Sequence, residues 1–324
     1  MISVVIPVRN GAPHLRRCLS SIKANLTPAD RVEIVVVDNG SSDESAEIAR
    51  GSGARVISLP DLKVGACRNA GAAAAGGGIL AFIDADNEIA PGWLQTCVRA
   101  FQEQQLGAAG YLYRTPDDAT WVQRIYDTLR ARTTERRDVE WLAAGNLAVR
   151  RTVFEQIGGF DEQLEACEDV QLCQAVRQAG YRVVSEPGMD SVHHGDPATL
   201  AALFFGELWR GRDNLRVSLR GPWTLRTVPS MLMPVAGLGC LALVALGLVA
   251  WPWLGGTPAI VGLAGLLTIA TLKALVMIAR GPLTSPGQWA QGFLVAATYE
   301  TARALSLIST ATHRTRLRLA RRLH

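Results

Sequence analysis

Asp84 and Asp86 stand two residues apart, directly after the apolar run Ile79-Leu80-Ala81-Phe82-Ile83. A continuous apolar run of that length, preceded by Gly76-Gly77-Gly78, reads as a strand buried on both faces. Residues i and i+2 of an extended chain point to the same side, so both carboxylates would face one spot at the strand's carboxyl end. In an open α/β sheet, ligands bind at that end. Two hard oxygen donors there suit Mg2+ or Mn2+ carrying a phosphate-bearing substrate. An aspartate pair after a strand also serves as a turn or helix cap, and Pro91 opens a helix a few residues on. What decides between the two is what else the chain brings to the same spot.

The elements before the pair alternate in type. Ile2 to Val8 is a β-branched run closing on the turn Arg9-Asn10-Gly11. Pro13 opens a helix with Leu15, Cys18, Leu19 and Ile22 on one face. Glu33 to Val37 is a second buried strand, ending in Asp38-Asn39-Gly40-Ser41-Ser42-Asp43, where Ser42 or Asp43 can cap the next helix. Arg55 to Leu59 is a third strand, and Gly65 to Ala75 a small-residue helix able to pack closely on a sheet. Strands and helices at this spacing form right-handed βαβ units and a mostly parallel, Rossmann-like sheet, an α/β fold. Asp38, Arg68, Asp84 and Asp86 then line one rim. Further on come a helix after Trp93, a short strand around Tyr111 to Tyr113, an arginine-rich helical region from Ala119 to Arg137, and a strand-like run from Trp141 to Val149. Gly158-Gly159-Phe160-Asp161-Glu162 makes a turn, and Glu168-Asp169 opens a helix with Leu172, Val176 and Ala179 on one face. Arg182 to Ser185 and Asp190 to His193 are short extended pieces.

The second half of the chain is different in kind. Of the 324 residues 48% are hydrophobic, and the excess is concentrated: no charged residue stands between Arg226 and Lys273. That stretch is long enough for two membrane-spanning helices of about 20 residues each. The spans are Val228–Leu254 and Pro258–Ile278. A third apolar segment, Trp289–Thr310, carries Glu300 and Arg303, which would be costly in lipid and so face protein, each other or the interface. Before the spans, Pro197 to Leu219 mixes Phe204, Phe205 and Trp209 with arginines. The pattern fits a helix lying in the membrane interface and equally one packed on the soluble domain. Arg314, Arg316, Arg318, Arg321 and Arg322 make a basic tail suited to an anionic membrane surface. With tail and soluble domain on the cytoplasmic side, the number of crossings is even, which favours two true spans. The expected domains are therefore residues 1–197, a linking amphipathic helix 198–226, a membrane part 227–312 and a tail 313–324.

Cys18, Cys67, Cys97, Cys167, Cys173 and Cys240 form no Cys-x-x-Cys pair, so neither a zinc ribbon nor a redox motif is expected, and reduced thiols fit a cytosolic location. The chain enters a strand at once, without the basic and apolar regions of a cleaved signal peptide. A net charge of +4 gives no reason to expect nucleic acid. A dehydrogenase is disfavoured, because no G-x-G-x-x-G follows the first strand.

Five stretches in order carry a resemblance: Ser3-Val4-Val5-Ile6-Pro7-Val8-Arg9-Asn10, Val35 to Asp43, Gly65-Ala66-Cys67-Arg68-Asn69-Ala70-Gly71, Asp84-Ala85-Asp86, and Gly158 to Glu162 followed by Glu168-Asp169. In their order and spacing, over about residues 1 to 215, the chain resembles family 2 glycosyltransferases of the membrane-anchored bacterial type. The resemblance implies a GT-A fold and an inverting, metal-dependent transfer from a nucleotide-diphosphate sugar. Asp38 would then hold the nucleotide base, and Pro7 and Arg9 would line the base and ribose pocket. Arg68 would meet the diphosphate or support the acidic loop. Asp84 would serve ribose and metal, and Asp86 would bind the Mg2+ or Mn2+. His193 or His194 would complete the metal site. Asp169 would be the general base, with Glu168 beside it. Asp38 fits a UDP-sugar as donor. The acceptor would be a lipid-linked glycan or a polyprenyl phosphate, met at the cytoplasmic face of a bacterial inner membrane during envelope or exopolysaccharide synthesis. The Gln-x-x-Arg-Trp of processive synthases is missing; Leu208-Trp209-Arg210-Gly211-Arg212 occupies a comparable region without matching it, which favours single transfers. Two rivals stand beside this reading. A nucleotidyltransferase would need a longer glycine-rich loop than Arg9-Asn10-Gly11-Ala12, and an inactive membrane scaffold would have no use for Asp84, Asp86 and Asp169.

Overall fold

β-Branched runs early in the chain make strands, and the small or amphipathic segments between them make the helices that cover those strands. The computed structural model describes residues 1–27, 31–130, 132, 134–220, 227–281 and 283–309. The first elements are β1 (Ile2–Val8), α1 (Ala12–Ala24), β2 (Val32–Asp38), α2 (Ser45–Gly51), β3 (Arg55–Ser58), α3 (Val64–Ala74), β4 (Ile79–Ile83) and β5 (Asn87–Ile89). There follow α4 (Trp93–Ala100), β6 (Leu106–Gly110), α5 (Trp121–Asp127), β7 (Arg137–Asp138), β8 (Asn146–Arg150), α6 (Arg151–Gln156), α7 (Glu168–Gln178), β9 (Arg182–Ser185) and β10 (Ser191–His193). The rest is helical: α8 (Leu200–Arg210), α9 (Asn214–Arg220), α10 (Thr227–Val249), α11 (Trp251–Leu254), α12 (Thr257–Arg280) and α13 (Pro286–Ser306).

By their contacts these elements fall into two units. The first comprises Met1–Pro116, Arg132–Leu164 and Glu168–Asp196; the second comprises the described residues of Asp117–Ala131, Glu165–Cys167 and Pro197–His324.

In the first unit one mixed, mostly parallel sheet runs β3-β2-β1-β4-β8-β6-β9-β7. β1 pairs in parallel with β2, Val8 opposite Asp38, and with β4, Ile2 opposite Ile79. β8 runs antiparallel between β4 and β6, with Asn146 opposite Ile83. The carboxyl ends of β1, β2 and β4 and the amino end of β8 therefore share one rim. Beside the sheet, β5 and β10 form a two-stranded antiparallel ribbon with His193 opposite Asn87. That pairing brings the residue before β5, Asp86, next to the end of β10.

Two apolar layers hold the sheet. On one side α1 and α4 cover it through Leu15, Cys18, Leu19, Trp93 and Cys97, all buried. On the other, Phe82 packs against Phe154 and Phe160, with ring centroids 5.4 and 5.0 Å away. Burying each such side chain contributes roughly 1.5–3 kcal/mol. α3 lies tight on this second face because Gly71 has no side chain: a Cβ there would overlap Val5 and come within 3.0 Å of Val37. Asn146 ties the layers together. It accepts from Trp93 Nε1 at 2.8 Å and donates to the carbonyls of Tyr111 and Met189 at 3.0 and 2.7 Å.

The regular elements described in the second unit are helices. Val122, Ile125, Leu203, Met277 and Val295 form its buried core. Val228–Val249 and Thr257–Arg280 are long and apolar enough to cross a membrane, and large residues such as Leu248, Val249 and Ile260 stand exposed on them. The stretch expected as one helix from Pro197 breaks at Gly211–Asp213 into α8 and α9. The third apolar segment forms α13, and its charged residues are turned inward. Glu300 meets Lys273 Nζ at 2.9 Å, and Arg303 lies 3.7 Å from the buried Glu207. Glu207 also accepts from Tyr126 OH and Arg210 Nη1, at 2.8 and 2.9 Å. The basic tail lies outside the described residues.

Candidate active site

The rim is assembled from loops that must turn sharply at strand ends, and those loops are laced to one another. After β1, Asn10 takes a left-handed φ of 53°, unusual for a residue with a side chain. Its Oδ1 accepts from the amide of Ser42, while its own amide donates to Ser41 Oγ. Asp43 accepts from Ser45 and, with its other oxygen, from the amide of Ala12 at the start of α1. Asp38, 6% exposed, accepts the Ser41 amide on Oδ1 at 3.1 Å. Arg9 reaches Asp61 at 3.5 Å, and Asp61 has a left-handed φ of 63°. Pro7, Arg9 and Asp38 thus share the β1–β2 side of the rim.

A second cluster surrounds the paired aspartates. Arg68, 3% exposed, donates from Nη2 to Asp84 Oδ1 and from Nη1 to Glu168 Oε1, each at 2.7 Å. Its guanidinium lies 5.5 Å from the Phe160 ring centroid. One buried cation thereby joins two carboxylates eighty-four positions apart in sequence.

Asp86 faces a different partner. Its Oδ1 is 3.4 Å from Nε2 of His193, whose Nδ1–H donates to the buried Asp196 Oδ1 at 2.9 Å. The Tyr113 ring stacks on the imidazole, centroids 4.3 Å apart. Gly195 is obligatory here, because a Cβ would overlap Asp86 Oδ2. Burial alone would raise the Asp86 carboxyl, but the charge and hydrogen bond of His193 outweigh it and bring its pKa down to about 2. Burial would lower His193; the Asp86 charge, with Asp196 behind, lifts it well above the usual imidazole value. His194 points elsewhere. Its Nε2 is 3.0 Å from Glu88, its Nδ1 3.3 Å from Arg17, and its ring stacks on His14 at 6.2 Å.

Asp169, in the first turn of α7, accepts the Ala144 amide at 3.4 Å and the Val170 amide at 2.8 Å. Burial first, then the neighbouring Glu168, push its carboxyl up to about 7, against those hydrogen bonds and the Arg68 charge. A carboxyl poised near neutrality can take a proton from a hydroxyl. Cys167, just before this helix, has a left-handed φ of 61°.

The structure thus gathers Asp84, Arg68, Glu168 and Asp169 on one side and Asp86 with His193 on another, joined through Asp84-Ala85-Asp86. Of the histidine pair, His193 is the one facing Asp86. Among the described residues no three His, Cys, Asp or Glu side chains make a ready metal cluster. The Asp86–His193 pair is nevertheless a carboxylate facing an imidazole that is backed by a second carboxylate, the arrangement that orients metal-ligating histidines. A Mg2+-type ion needs only one or two protein ligands when substrate phosphates supply the others. The donor set therefore fits a divalent cation carried with a diphosphate.

Asp196 was not among the residues singled out from the sequence. Its signal was the i, i+3 spacing from His193 in His193-His194-Gly195-Asp196, which a strand-to-turn transition converts into a contact.

A model of glycosyl transferase family 2 matches residues 3–158. Glycosyltransferase AglE of Haloferax volcanii is 30% identical over 244 residues, covering 70% of this chain and 77% of that protein. N-acetylglucosaminyl-diphospho-decaprenol L-rhamnosyltransferase of Mycobacterium tuberculosis is 29% identical over 284 residues, covering 70% and 92%. Among solved structures, a mannosyltransferase from Pyrobaculum calidifontis in complex with GDP-Man and Mn2+ has a TM-score of 0.58 at 18% identity, covering 93% of this chain and 86% of its own. This last likeness bears on the fold, which is of the GT-A type.

Proposed function

The chain belongs to glycosyl transferase family 2, a family of nucleotide-sugar transferases, and we propose that it moves one sugar, with inversion, from a nucleotide-diphosphate sugar to a lipid-linked acceptor at a membrane. The observation that carries this reading is the double bridge of Arg68, which holds Asp84 and Glu168 on one rim, as a diphosphate side beside a base side requires.

On the donor side, Asp38 receives the nucleotide base through the oxygen not taken by Ser41, with Pro7 and Arg9 flanking it. Asp84 serves the ribose. Asp86 and His193 would hold Mg2+ or Mn2+, with Asp84 alongside, and such an ion supplies a Lewis acid for the charge developing on the leaving diphosphate. Arg68 stays with its two carboxylates and fixes the acidic loop. On the other side, Asp169 accepts the proton of the acceptor hydroxyl while that oxygen attacks the anomeric carbon and the bond to the diphosphate breaks. Attack opposite the leaving group gives inversion. Burial first, and then Glu168, tied to Arg68, raise the Asp169 carboxyl to about 7, where it can take a proton near neutral pH.

The two apolar helices, α10 and α12, cross the membrane as a hairpin in this reading, so that both ends return to the cytoplasmic side, where nucleotide sugars are made. α13, with Glu300 and Arg303 paired inside the unit, stays out of the crossing. A lipid-linked acceptor fits an enzyme held at a membrane in this way, and a UDP-sugar suits Asp38 as donor.

The test is turnover in chelator. Transfer is expected to stop and to return with Mn2+ or Mg2+; chelator-insensitive transfer removes the cation from the scheme. Release of pyrophosphate in place of nucleoside diphosphate would instead identify a nucleotidyltransferase.

A further inference from the structure

The helix that carries the base begins in one unit, but the three residues before it pack with the other. Glu165–Cys167 belong to the helical C-terminal unit, and the chain re-enters the sheet unit at Glu168. Within the C-terminal unit the Asp213 carboxylate holds this segment. Asp213 Oδ2 accepts the amide of Glu165 at 2.7 Å and that of Ala166 at 3.2 Å. Cys167 follows with its left-handed φ of 61° and directs its thiol to the Arg210 carbonyl at 3.8 Å. Arg210 and Asp213 flank the break between α8 and α9. The break is itself anchored, because the Arg210 guanidinium is held by the buried Glu207 and by Tyr126 OH, at 2.9 and 3.2 Å.

A left-handed residue with a Cβ persists only where its surroundings over-determine it. Here the two charge-assisted bonds on one side and the Glu168–Arg68 bridge on the other do so. Release of the first pair would let Cys167 relax to negative φ, and a φ change at the residue before a helix re-aims the helix's first turn. Glu168 and Asp169 are that first turn.

We propose that Asp213 is a positioning residue for Asp169: by clasping the two amides before Cys167 it holds the strained turn that presents the base. This rests on the transferase reading above, in which Asp169 takes the acceptor's proton. It adds that a residue forty-four positions beyond Asp169 in sequence acts on the base through the turn that precedes it, while leaving the donor side untouched.

The experiment uses the full chain in detergent or nanodiscs, with steady-state transfer and amide hydrogen exchange measured on the same samples. In Asp213→Ala, kcat is expected to fall about 100-fold, as a misplacement near 1 Å would cause, with the donor KM unchanged. Exchange should speed up in 163–170 and stay as it was around Asp86. Asp213→Asn, whose amide oxygen still accepts both bonds, should recover most of kcat. Cys167→Gly, for which a left-handed φ is unstrained, should partly rescue Asp213→Ala. An Asp213→Ala enzyme with unchanged kcat, unchanged exchange in 163–170, or a loss shared equally by kcat and donor KM overturns the proposal. So does a failure of Asp213→Asn to recover activity while its exchange is normal. If the wild-type chain releases nucleoside diphosphate from no donor, the transferase reading fails and the positioning role with it; the exchange data then still decide whether the clasp holds the loop.

Discussion

Asp86 and Asp169 are the same side chain on one rim, yet the fold treats them in opposite ways. Asp86 sits where β4 passes into β5, a position pinned by the β5–β10 ribbon and faced by His193, and its carboxyl is held at about 2. Asp169 stands in the first turn of a helix beside another carboxylate, after a strained residue, and its carboxyl rises to about 7. A carboxylate that is always ionised suits a cation and a diphosphate. One that titrates near neutrality suits proton transfer. Environment, not residue type, sets the two carboxyls apart.

That contrast can be broken from either side. The largest effect is expected at the base: Asp169→Asn should cut transfer by up to about 10⁴-fold, because an amide cannot take the proton. In the wild type the rate should rise as pH passes through about 7, where Asp169 ionises, and then level off; a profile without that acid limb would separate Asp169 from the proton step. Asp86→Ala should lower kcat about 10³-fold, the scale of losing charge stabilisation at a leaving group, with circular dichroism unchanged.

Arg68 belongs to both sides. Arg68→Met leaves Asp84 and Glu168 without their shared cation, and urea melts should show a loss of about 3–5 kcal/mol, the cost of breaking a buried pair by removing one partner. Asp196→Asn should reduce Mn2+ affinity about 10–100-fold, as for other partners that orient a ligating histidine, while leaving the acid limb near 7 in place. The smallest effect is a stability difference. The folded-state pKa of Asp169 lies above its unfolded value, so the group's contribution is present at low pH and lost as pH rises through about 7. Thermal melts at pH 5 and 8 should therefore show the wild type losing more stability than Asp169→Asn; equal losses would place the raised pKa elsewhere.

Much of the rim at the ends of β1, β2 and β4 was legible because it is local. The runs at Ile2 to Val8, Glu33 to Val37 and Ile79 to Ile83 are continuous and apolar, and each ends in its polar loop, so the strand ends and their residues follow from pattern alone. Glu168-Asp169 was legible as a helix start, but the partners of the two carboxyls were not. That Arg68 bridges Asp84 to Glu168, and that Ala144 donates to Asp169, depends on β8 entering antiparallel beside β4, a long-range pairing with no local signature. The strand expected around Tyr111 to Tyr113 lies just before it, at Leu106–Gly110, because the small residues Gly107 to Gly110 weaken its pattern although they fit a strand packed on both faces. The helix from Pro197 hid its break for the same kind of reason. The break falls at Gly211–Asp213, where Asp213 accepts the amides of Glu165 and Ala166, contacts that sequence spacing does not display.

The most direct test is a donor panel. The full chain would be offered UDP-, GDP- and dTDP-sugars with Mn2+ or Mg2+ and a membrane lipid extract, and nucleoside diphosphate and labelled lipid would be counted together. One nucleotide class is expected to release its diphosphate in step with sugar appearing on lipid, and both signals are expected to vanish in Asp86→Ala. Release of pyrophosphate, or full transfer by Asp86→Ala, would contradict this expectation.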